Sequence, residues 1–373
     1  MIIGLDASRA INESAGIARY NSNLIKNLAK IDRENDYKFL FTYVRDKTIK
    51  KKLSSNLTSR FKNYKNIILP IPGNIKEYLW GTRLPILSMF IGKCDIWHAT
   101  SFFEATIGDR MPQIVTIYDM TTFLFPDQRG GEVSQRLSQR TKEIVNRAAK
   151  VISISQSTKK DIIKFIPQVD PKKIVVIPLG FDETFKKDTK IKKKNIILFV
   201  GTVEPRKNLK RLILAYNKLP EAIKLKYQLV IVGASGWNND DIYQTAKPLV
   251  DKKRIVFKDY LTDNQLQKLY NESKIFVYPS IYEGFGLPVL EAMNCGLPVI
   301  TSNISSLPEV AGDAAFYVNP LSVKDITNTI NKLISNEKLM IQLSKKSLKQ
   351  AKKFSWERCA KETLNIYRSI YHG

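Results

Sequence analysis

Cysteine and histidine are scarce in these 373 residues. Cys94, Cys295 and Cys359 stand far apart with no Cys-x-x-Cys pair, and the only histidines are His98 and His372. An odd, sparse cysteine set excludes a disulfide framework and suits a reducing compartment. Spacings this wide assemble no zinc ligand set. The fingerprint Gly-x-Gly-x-x-Gly does not follow the first apolar run, so a nicotinamide cofactor is unsupported. Asp-x-Asp, a common way of holding a divalent ion on a phosphorylated substrate, is also absent. Long hydrophobic runs are missing too. The most apolar longer stretch, Leu79 to Ile91, is interrupted by Arg83 and Pro85 and is too short to span a bilayer. Residues Met1 to Asp6 lack the basic region and apolar core of a signal peptide. The expectation is a cytoplasmic protein that is neither exported by this route nor integral to a membrane.

Acidic residues are in the minority. Lys and Arg total 60 against 35 Asp and Glu, a formal charge of +25. Such an excess permits attraction to nucleic acid, to anionic lipid or to a phosphorylated substrate, and equally permits a solvated lysine-rich surface with no partner. No RNA-binding aromatic motif or zinc finger accompanies it, so nucleic acid is not expected. The hydrophobic fraction of 43% is that of a soluble globular chain, and the length suggests two domains, each with its own core.

Apolar runs alternate with segments of helical period throughout. Ile2 to Leu5 reads as a buried strand ending at Asp6. A polar loop from Ala7 to Gly16 follows, and then a helix carrying Ile17, Tyr20, Leu24, Ile25 and Leu28. Gly16 can let a phosphate or sugar approach the backbone; a helix-start glycine explains it equally well. Tyr37 to Tyr43 and Ile67 to Leu69 are further strands. Tyr78 to Phe90 reads as one apolar helix kinked at Pro85, either core or an exposed face for a lipid-linked acceptor, with core the better reading. Strands at Asp95 to His98 and Ile114 to Asp119 end in polar residues. In open α/β sheets ligands bind outside the carboxyl ends of strands, where Asp6, His98, Tyr118 and Asp119 all fall. Each alone could be a loop cap.

Phe185 to Lys194 is nearly all polar and reads as a solvated interdomain linker. The strand–helix alternation restarts at Asn195 and runs to Val318, and the remainder is mostly helical. Alternation of this kind argues for two parallel, doubly wound α/β domains.

Chemistry gathers at two turns of the second half. Ile275 to Tyr278 is a strand, followed by Glu283-Gly284-Phe285-Gly286-Leu287-Pro288 and a helix that contains Glu291. A helix start presents unpaired amides and positive dipole, which suits a phosphate. Glu283 and Glu291 can face one ligand from two heights; acids and glycines also occur in ordinary helix starts. Gly201 to Asn208 ends the first strand of that half and carries Arg206 and Lys207. A guanidinium fork and a point charge suit a diphosphate, and a basic turn is the plain alternative. Cations and amides together could stabilise a departing pyrophosphate without a metal.

These residues resemble the retaining nucleotide-sugar glycosyltransferases of family 4, in the bacterial mannosyltransferase-like branch. The resemblance rests on the paired glutamates Glu283 and Glu291, on Leu307 to Ala315, on Val200 to Leu209, and on Asp6-Ala7-Ser8-Arg9 with Gly16 to Tyr20. It implies a GT-B fold, two Rossmann-like domains facing a central cleft: residues 1–185 for the acceptor, 195–355 for the nucleotide sugar, and a helix over 356–373 crossing back to the first domain. It also implies roles. Glu283 would touch the donor sugar and stabilise its developing positive charge, with the backbone of Gly284, Phe285, Gly286 and Leu287 on sugar hydroxyls and phosphate. Glu291 would accept from the ribose hydroxyls, Arg206 and Lys207 would bind the diphosphate, and Gly16 would close on the donor phosphate. His98 and Tyr118 are assigned to the acceptor or sugar pocket.

Two positions depart from the family pattern. Many members carry a histidine, often followed by aspartate, where Tyr118-Asp119 stands, which leaves Asp119 as the substitute catalytic group. Many place an arginine directly after the glycine of the phosphate turn, where this chain has Thr202, so Arg206 supplies that charge. The expected activity is metal-independent, cofactor-free hexosyl transfer, best mannosyl from GDP-mannose. Its acceptor is a glycan or lipid-linked glycan of surface polysaccharide, with peripheral contact to an anionic membrane. The rival readings are a GT-B sugar-nucleotide epimerase and a non-catalytic basic binding protein.

Overall fold

The computed structural model describes residues 1–11, 16–42 and 56–372. Part of the expected loop from Ala7 to Gly16, and Tyr43 at the expected end of the second strand, lie outside the described residues. The chain divides into two compact units: Met1–Gly180 with Ser355–Gly373, and Phe181–Phe354.

The first unit is built on seven parallel strands: β1 (Ile2–Asp6), β2 (Asp36–Thr42), β3 (Tyr64–Leu69), β4 (Ile96–Ala99), β5 (Gln113–Ile117), β6 (Lys150–Ser153) and β7 (Ile174–Val176), in the order β3-β2-β1-β4-β5-β6-β7. Strands covered on both faces need continuous apolar sequence, and β1, β4 and β5 supply it. Ile3, Leu5, Ile96, Trp97, Ile114 and Val115 are fully buried. The order reverses between β1 and β4, so the crevice outside their carboxyl ends is where such a sheet receives a ligand.

The helix Gly16–Ile31 packs on the helix Trp356–Tyr371. The latter starts cleanly because Ser355 caps it, accepting from the Arg358 amide. It buries Trp356, Cys359, Leu364, Ile366 and Tyr367. Gly180 permits the close approach at its start: a Cβ there would sit 2.1 Å from the Trp356 nitrogen.

Two expectations for this half are corrected. Tyr78 to Phe90 is not one kinked helix but two short ones, Gly73–Trp80 and Ile86–Ile91, separated by a turn that ends at Pro85. Nor is it mainly core. Trp80, Leu87 and Ile91 are buried, whereas Ile75, Tyr78, Leu84, Met89 and Phe90 are exposed. After β5 come a helical turn at Thr121–Leu124 and a 3-10 turn at Pro126–Arg129.

The second unit holds six parallel strands: β8 (Ile196–Val200), β9 (Gln228–Val232), β10 (Ile255–Lys258), β11 (Ile275–Tyr278), β12 (Val299–Ser302) and β13 (Ala315–Val318), in the order β10-β9-β8-β11-β12-β13. Its order reverses between β8 and β11. Phe185 to Lys194 is not a free linker; its backbone is tied to this unit. Phe185 is buried and edge-on to Tyr270 at 5.8 Å. The Lys186 carbonyl accepts from Asn271 Nδ2 at 2.9 Å, and the Lys194 amide donates to the Glu272 carbonyl at 2.6 Å. The lysines themselves stay exposed, which is why composition alone reads as solvated chain.

Candidate functional site

In the second unit the reversal of strand order brings two turns together. The turn after β8 runs from Gly201 through the 3-10 turn Pro205–Lys207 to Asn208, which adopts φ 61°, ψ 29°. Asn208 is one of the residues that tolerate this left-handed conformation. Its side-chain nitrogen donates to the carbonyls of Pro279 at 2.8 Å and Pro320 at 2.7 Å, locking the turn after β8 to the end of β11. The Ile281 amide donates to the Arg206 carbonyl at 2.9 Å, a second backbone tie.

Glu283 sits at the centre. Its Oε1 accepts from Lys207 Nζ at 2.6 Å, Ser280 Oγ at 2.7 Å and the Tyr278 hydroxyl at 2.8 Å, and its Oε2 from Arg206 Nη1 at 3.3 Å. Arg206 also donates to Glu204 at 2.6 Å and to the Tyr282 carbonyl at 2.7 Å, and Trp237 Nε1 donates to Glu204 at 3.1 Å. Burial alone would raise the Glu283 carboxyl. The Lys207 and Arg206 charges, with hydrogen bonds from Lys207 and Ser280, outweigh it and hold the group at about 2. Glu283 is therefore ionised at neutral pH.

The loop that follows is shaped by Gly286, which adopts φ 110° as N-cap of the helix Leu287–Asn294. It is the positive φ that calls for glycine here; a Cβ would also stand 2.8 Å from Leu307 Cδ2, the end of a side chain that can shift. The helix begins at Leu287 with Pro288 in its first turn, where its missing N–H costs nothing. Ser306 braces the loop, donating to the carbonyls of Glu283 and Phe285, both at 2.8 Å. The dipole-positive end of the helix follows directly on this loop; within its first turn Pro288 has no N–H, and the amides of Val289 and Leu290 donate to the Gly286 carbonyl at 3.0 Å and 3.2 Å. Glu291 is buried on the same helix and accepts from the Tyr270 hydroxyl at 3.1 Å.

Arg206, Lys207, Glu283 and Gly284 to Leu287 are thus brought together, with Glu291 on the helix that the loop begins. The sequence did not reveal that the two cations are held by carboxylates of their own neighbourhood. It also missed Tyr278, Ser280, Glu204 and Trp237. The first two had a signal, standing at the carboxyl end of β11; Trp237 had none beyond the end of β9.

The first-unit residues are placed differently. His98 is fully buried, with Nδ1 2.6 Å from the Tyr367 hydroxyl and Nε2 2.9 Å from Thr116 Oγ1. Burial depresses its imidazole to about 3, so it is neutral. With both nitrogens engaged inside the unit, His98 is a tie between the sheet and the helix Trp356–Tyr371, which corrects its assignment to a pocket. The Tyr118 hydroxyl donates to the Thr100 carbonyl at 2.6 Å and its ring packs edge-on to Tyr20 at 5.4 Å. Asp119 is exposed and accepts from the Thr121 amide at 2.9 Å. Gly16 is the exposed first residue of its helix.

Asp6 and Arg9 were singled out in the sequence, but their partners Lys76 and Glu104 were missed. Lys76 Nζ reaches Asp6 at 2.7 Å, and Arg9 Nε reaches the buried Glu104 at 3.3 Å, at the carboxyl ends of β1 and β4. Separations of 70 and 95 residues gave the sequence no way to pair them. Among the described residues no group of three or more His, Cys, Asp or Glu is arranged to hold a metal ion, and no helix is long and apolar enough to cross a membrane.

Comparison with known proteins agrees with this geometry. Residues 180–350 match the family "Glycosyl transferases group 1", and residues 14–185 match "Glycosyltransferase Family 4". O-antigen chain mannosyltransferase B of Escherichia coli is 30% identical over 370 residues, covering 95% of this chain and 96% of that protein. The serotype-specific mannosyltransferase WbdA of Escherichia coli is also 30% identical, over 378 residues; the match covers 95% of this chain but 45% of that longer protein. Among solved structures, sucrose-phosphate synthase of Thermosynechococcus elongatus superposes with a TM-score of 0.77 at 19% identity, covering 100% of this chain and 99% of that one. This chain belongs to glycosyltransferase family 4 and has the GT-B fold.

Proposed function

We propose that this glycosyltransferase moves mannose from GDP-mannose to a glycan or lipid-linked glycan acceptor in bacterial surface polysaccharide synthesis. It does so in the cytoplasm, in peripheral contact with the membrane, and with retention of anomeric configuration. The observation that carries the reading is the Arg206–Lys207–Glu283 cluster beside the Gly284 to Leu287 loop, at the strand-order reversal of the second unit. The choice of mannose leans on the O-antigen chain mannosyltransferase B matched end to end. An epimerase or a non-catalytic binding protein finds no support among the named relatives, which are transferases.

The mechanism follows from the residues. Arg206 and Lys207, with the amides of Phe285, Gly286 and Leu287, bind the diphosphate and stabilise the charge it gains on leaving. The bond between the anomeric carbon and the phosphate oxygen breaks, and its electron pair stays with the phosphate. Glu283, held ionised, lies against the sugar and offsets the positive charge that develops on the ring. The acceptor hydroxyl attacks from the face the phosphate is leaving, and its proton passes to a departing phosphate oxygen. Glu291 accepts from the ribose hydroxyls. Asp119 and Tyr118, at the end of β5, and Gly16 serve on the sugar and donor phosphate. The charge of the leaving group falls to Arg206, Lys207 and amides, so no metal is called for.

Thermal shift with GDP, GDP-mannose, UDP and UDP-glucose tests the donor. GDP and GDP-mannose should raise the melting temperature, since a ligand bound only by the folded state stabilises by mass action. A rise with the uridine pair alone would overturn GDP-mannose, and no rise with any of the four would overturn the donor site.

A further inference from the structure

Three loops meet at the carboxyl edge of the second sheet, and one carboxylate joins them through a guanidinium. Arg206 lies in the turn after β8. Its Nη1 donates to the Tyr282 carbonyl at 2.7 Å and to Glu283 Oε2 at 3.3 Å, both in the loop after β11. Its Nη2 donates to Glu204 Oε1 at 2.6 Å. The other oxygen of the buried Glu204 carboxylate accepts from Trp237 Nε1 at 3.1 Å, in the loop after β9.

The loops hold together without this carboxylate. The Val203 amide donates to the Ala234 carbonyl at 3.0 Å, and the Gly236 amide to the Val203 carbonyl at 3.1 Å. Asn239 Nδ2 donates to the carbonyls of Val203 at 3.2 Å and Gly236 at 3.0 Å. Gly236 permits the approach, since a Cβ there would stand 2.9 Å from the Val203 carbonyl oxygen. Asn208 and the Ile281 amide tie the turn after β8 to the end of β11. What Glu204 adds is the orientation of Arg206.

The contacts of Arg206 are unequal. Two short bonds, to Glu204 and to the Tyr282 carbonyl, fix one terminal nitrogen each. The bond to Glu283 is the longest of the three and the easiest to exchange. A guanidinium fixed before its ligand arrives loses little side-chain freedom on binding. The charge of Glu204 itself works against an anionic ligand, so any benefit it brings must come through the arginine.

We propose that Glu204, steadied by Trp237, is a positioning residue that holds Arg206 ready for the donor diphosphate. On binding, Arg206 keeps Glu204 and the Tyr282 carbonyl and exchanges Glu283 for a phosphate oxygen. This inference rests on the diphosphate site proposed above. It divides the two carboxylates that touch Arg206: Glu204 serves the leaving group and Glu283 the sugar.

Calorimetric titration with GDP and UDP, which carry the same diphosphate, tests it without an acceptor. Arg206→Ala should weaken the nucleotide about tenfold or more, the weight of one charge-assisted bond. Glu204→Gln keeps the side chain's shape and removes an acid from beside an anion site. Electrostatics alone would tighten the nucleotide. Loss of positioning should weaken it roughly three- to tenfold, the cost of ordering one long side chain. Trp237→Phe should weaken it in the same direction and less. With Arg206→Ala already present, neither substitution should cause further loss. The backbone ties predict melting temperatures near wild type, and Trp237→Phe carries the test if Glu204→Gln fails to fold. Wild-type or tighter affinity in Glu204→Gln, or losses that add to that of Arg206→Ala, would overturn the positioning role and leave the diphosphate site standing. Wild-type affinity in Arg206→Ala, or no binding of either nucleotide by the wild type, would overturn the diphosphate site and this role with it.

Discussion

Glu283 is held by four donors, two of them cations that the proposed chemistry also requires for the diphosphate. Donor and carboxylate therefore compete for Arg206 and Lys207. Glu283→Gln keeps the shape and removes the charge. Transfer should fall by roughly 10²–10³-fold, the loss typical of one charge-stabilising group. Affinity for GDP should stay level or rise, because the cations are released from their carboxylate. A parallel loss of transfer and GDP binding, read by calorimetry, would mark Glu283 as a merely structural residue.

The same substitution has a signature in acid. The Glu283 carboxyl sits at about 2 against an ordinary 4.5. A depressed carboxyl contributes stability that is complete above 4.5 and is lost as pH falls toward 2. Denaturant midpoints of wild type should therefore fall more steeply across that window than those of Glu283→Gln. Equal slopes would refute the depressed value. The sequence made the pairing of these turns legible because glycine, proline and helix-start chemistry are local. It could not show that cation and carboxylate touch, since Lys207 and Glu283 are 76 residues apart and meet only once β8 lies beside β11.

Elements were legible where their period was strong. The helix Trp356–Tyr371 and its residence on the first unit came from the family resemblance, within a remainder read as mostly helical. What anchors it was hidden, because His98 was read by its place at a strand end and not by its partners. The Tyr367 hydroxyl and Thr116 Oγ1 close both sides of the imidazole. Tyr367→Phe removes one of these and leaves a buried ring nitrogen unpaired, at a cost of about 1–3 kcal/mol. Pairing it with His98→Leu should restore part of that loss, because the orphaned nitrogen goes with the ring. Thermal or denaturant melts of the two single variants and the double variant read this coupling; strictly additive losses would refute the tie. The Tyr78 to Phe90 segment was misread for the opposite reason. Its apolar content is high, and composition does not say which side of a short helix is covered.

At the scale of the molecule, the chain leaves the first unit at Gly180 and returns to it at Ser355, so two sequence-distant pieces share one core. The return contributes Trp356, Cys359, Leu364, Ile366 and Tyr367, all buried, and burying a large apolar side chain stabilises by roughly 1.5–3 kcal/mol. The cluster proposed to bind the nucleotide, Arg206, Lys207, Glu283 and Glu291, lies wholly within Phe181–Phe354. Ending the chain after Phe354 should therefore separate two properties that an intact enzyme loses together. The first unit should unfold at a much lower temperature, with amides of β1, β4 and the helix Gly16–Ile31 losing hydrogen-exchange protection. Amides of β8 and β11 should keep theirs. GDP affinity of the truncated chain should remain within a few-fold of the full chain, while transfer disappears with the first unit. Loss of protection in β8 and β11 as well would show that the second unit depends on the first for its stability, and would make a single cooperative unfolding transition the correct description of the molecule.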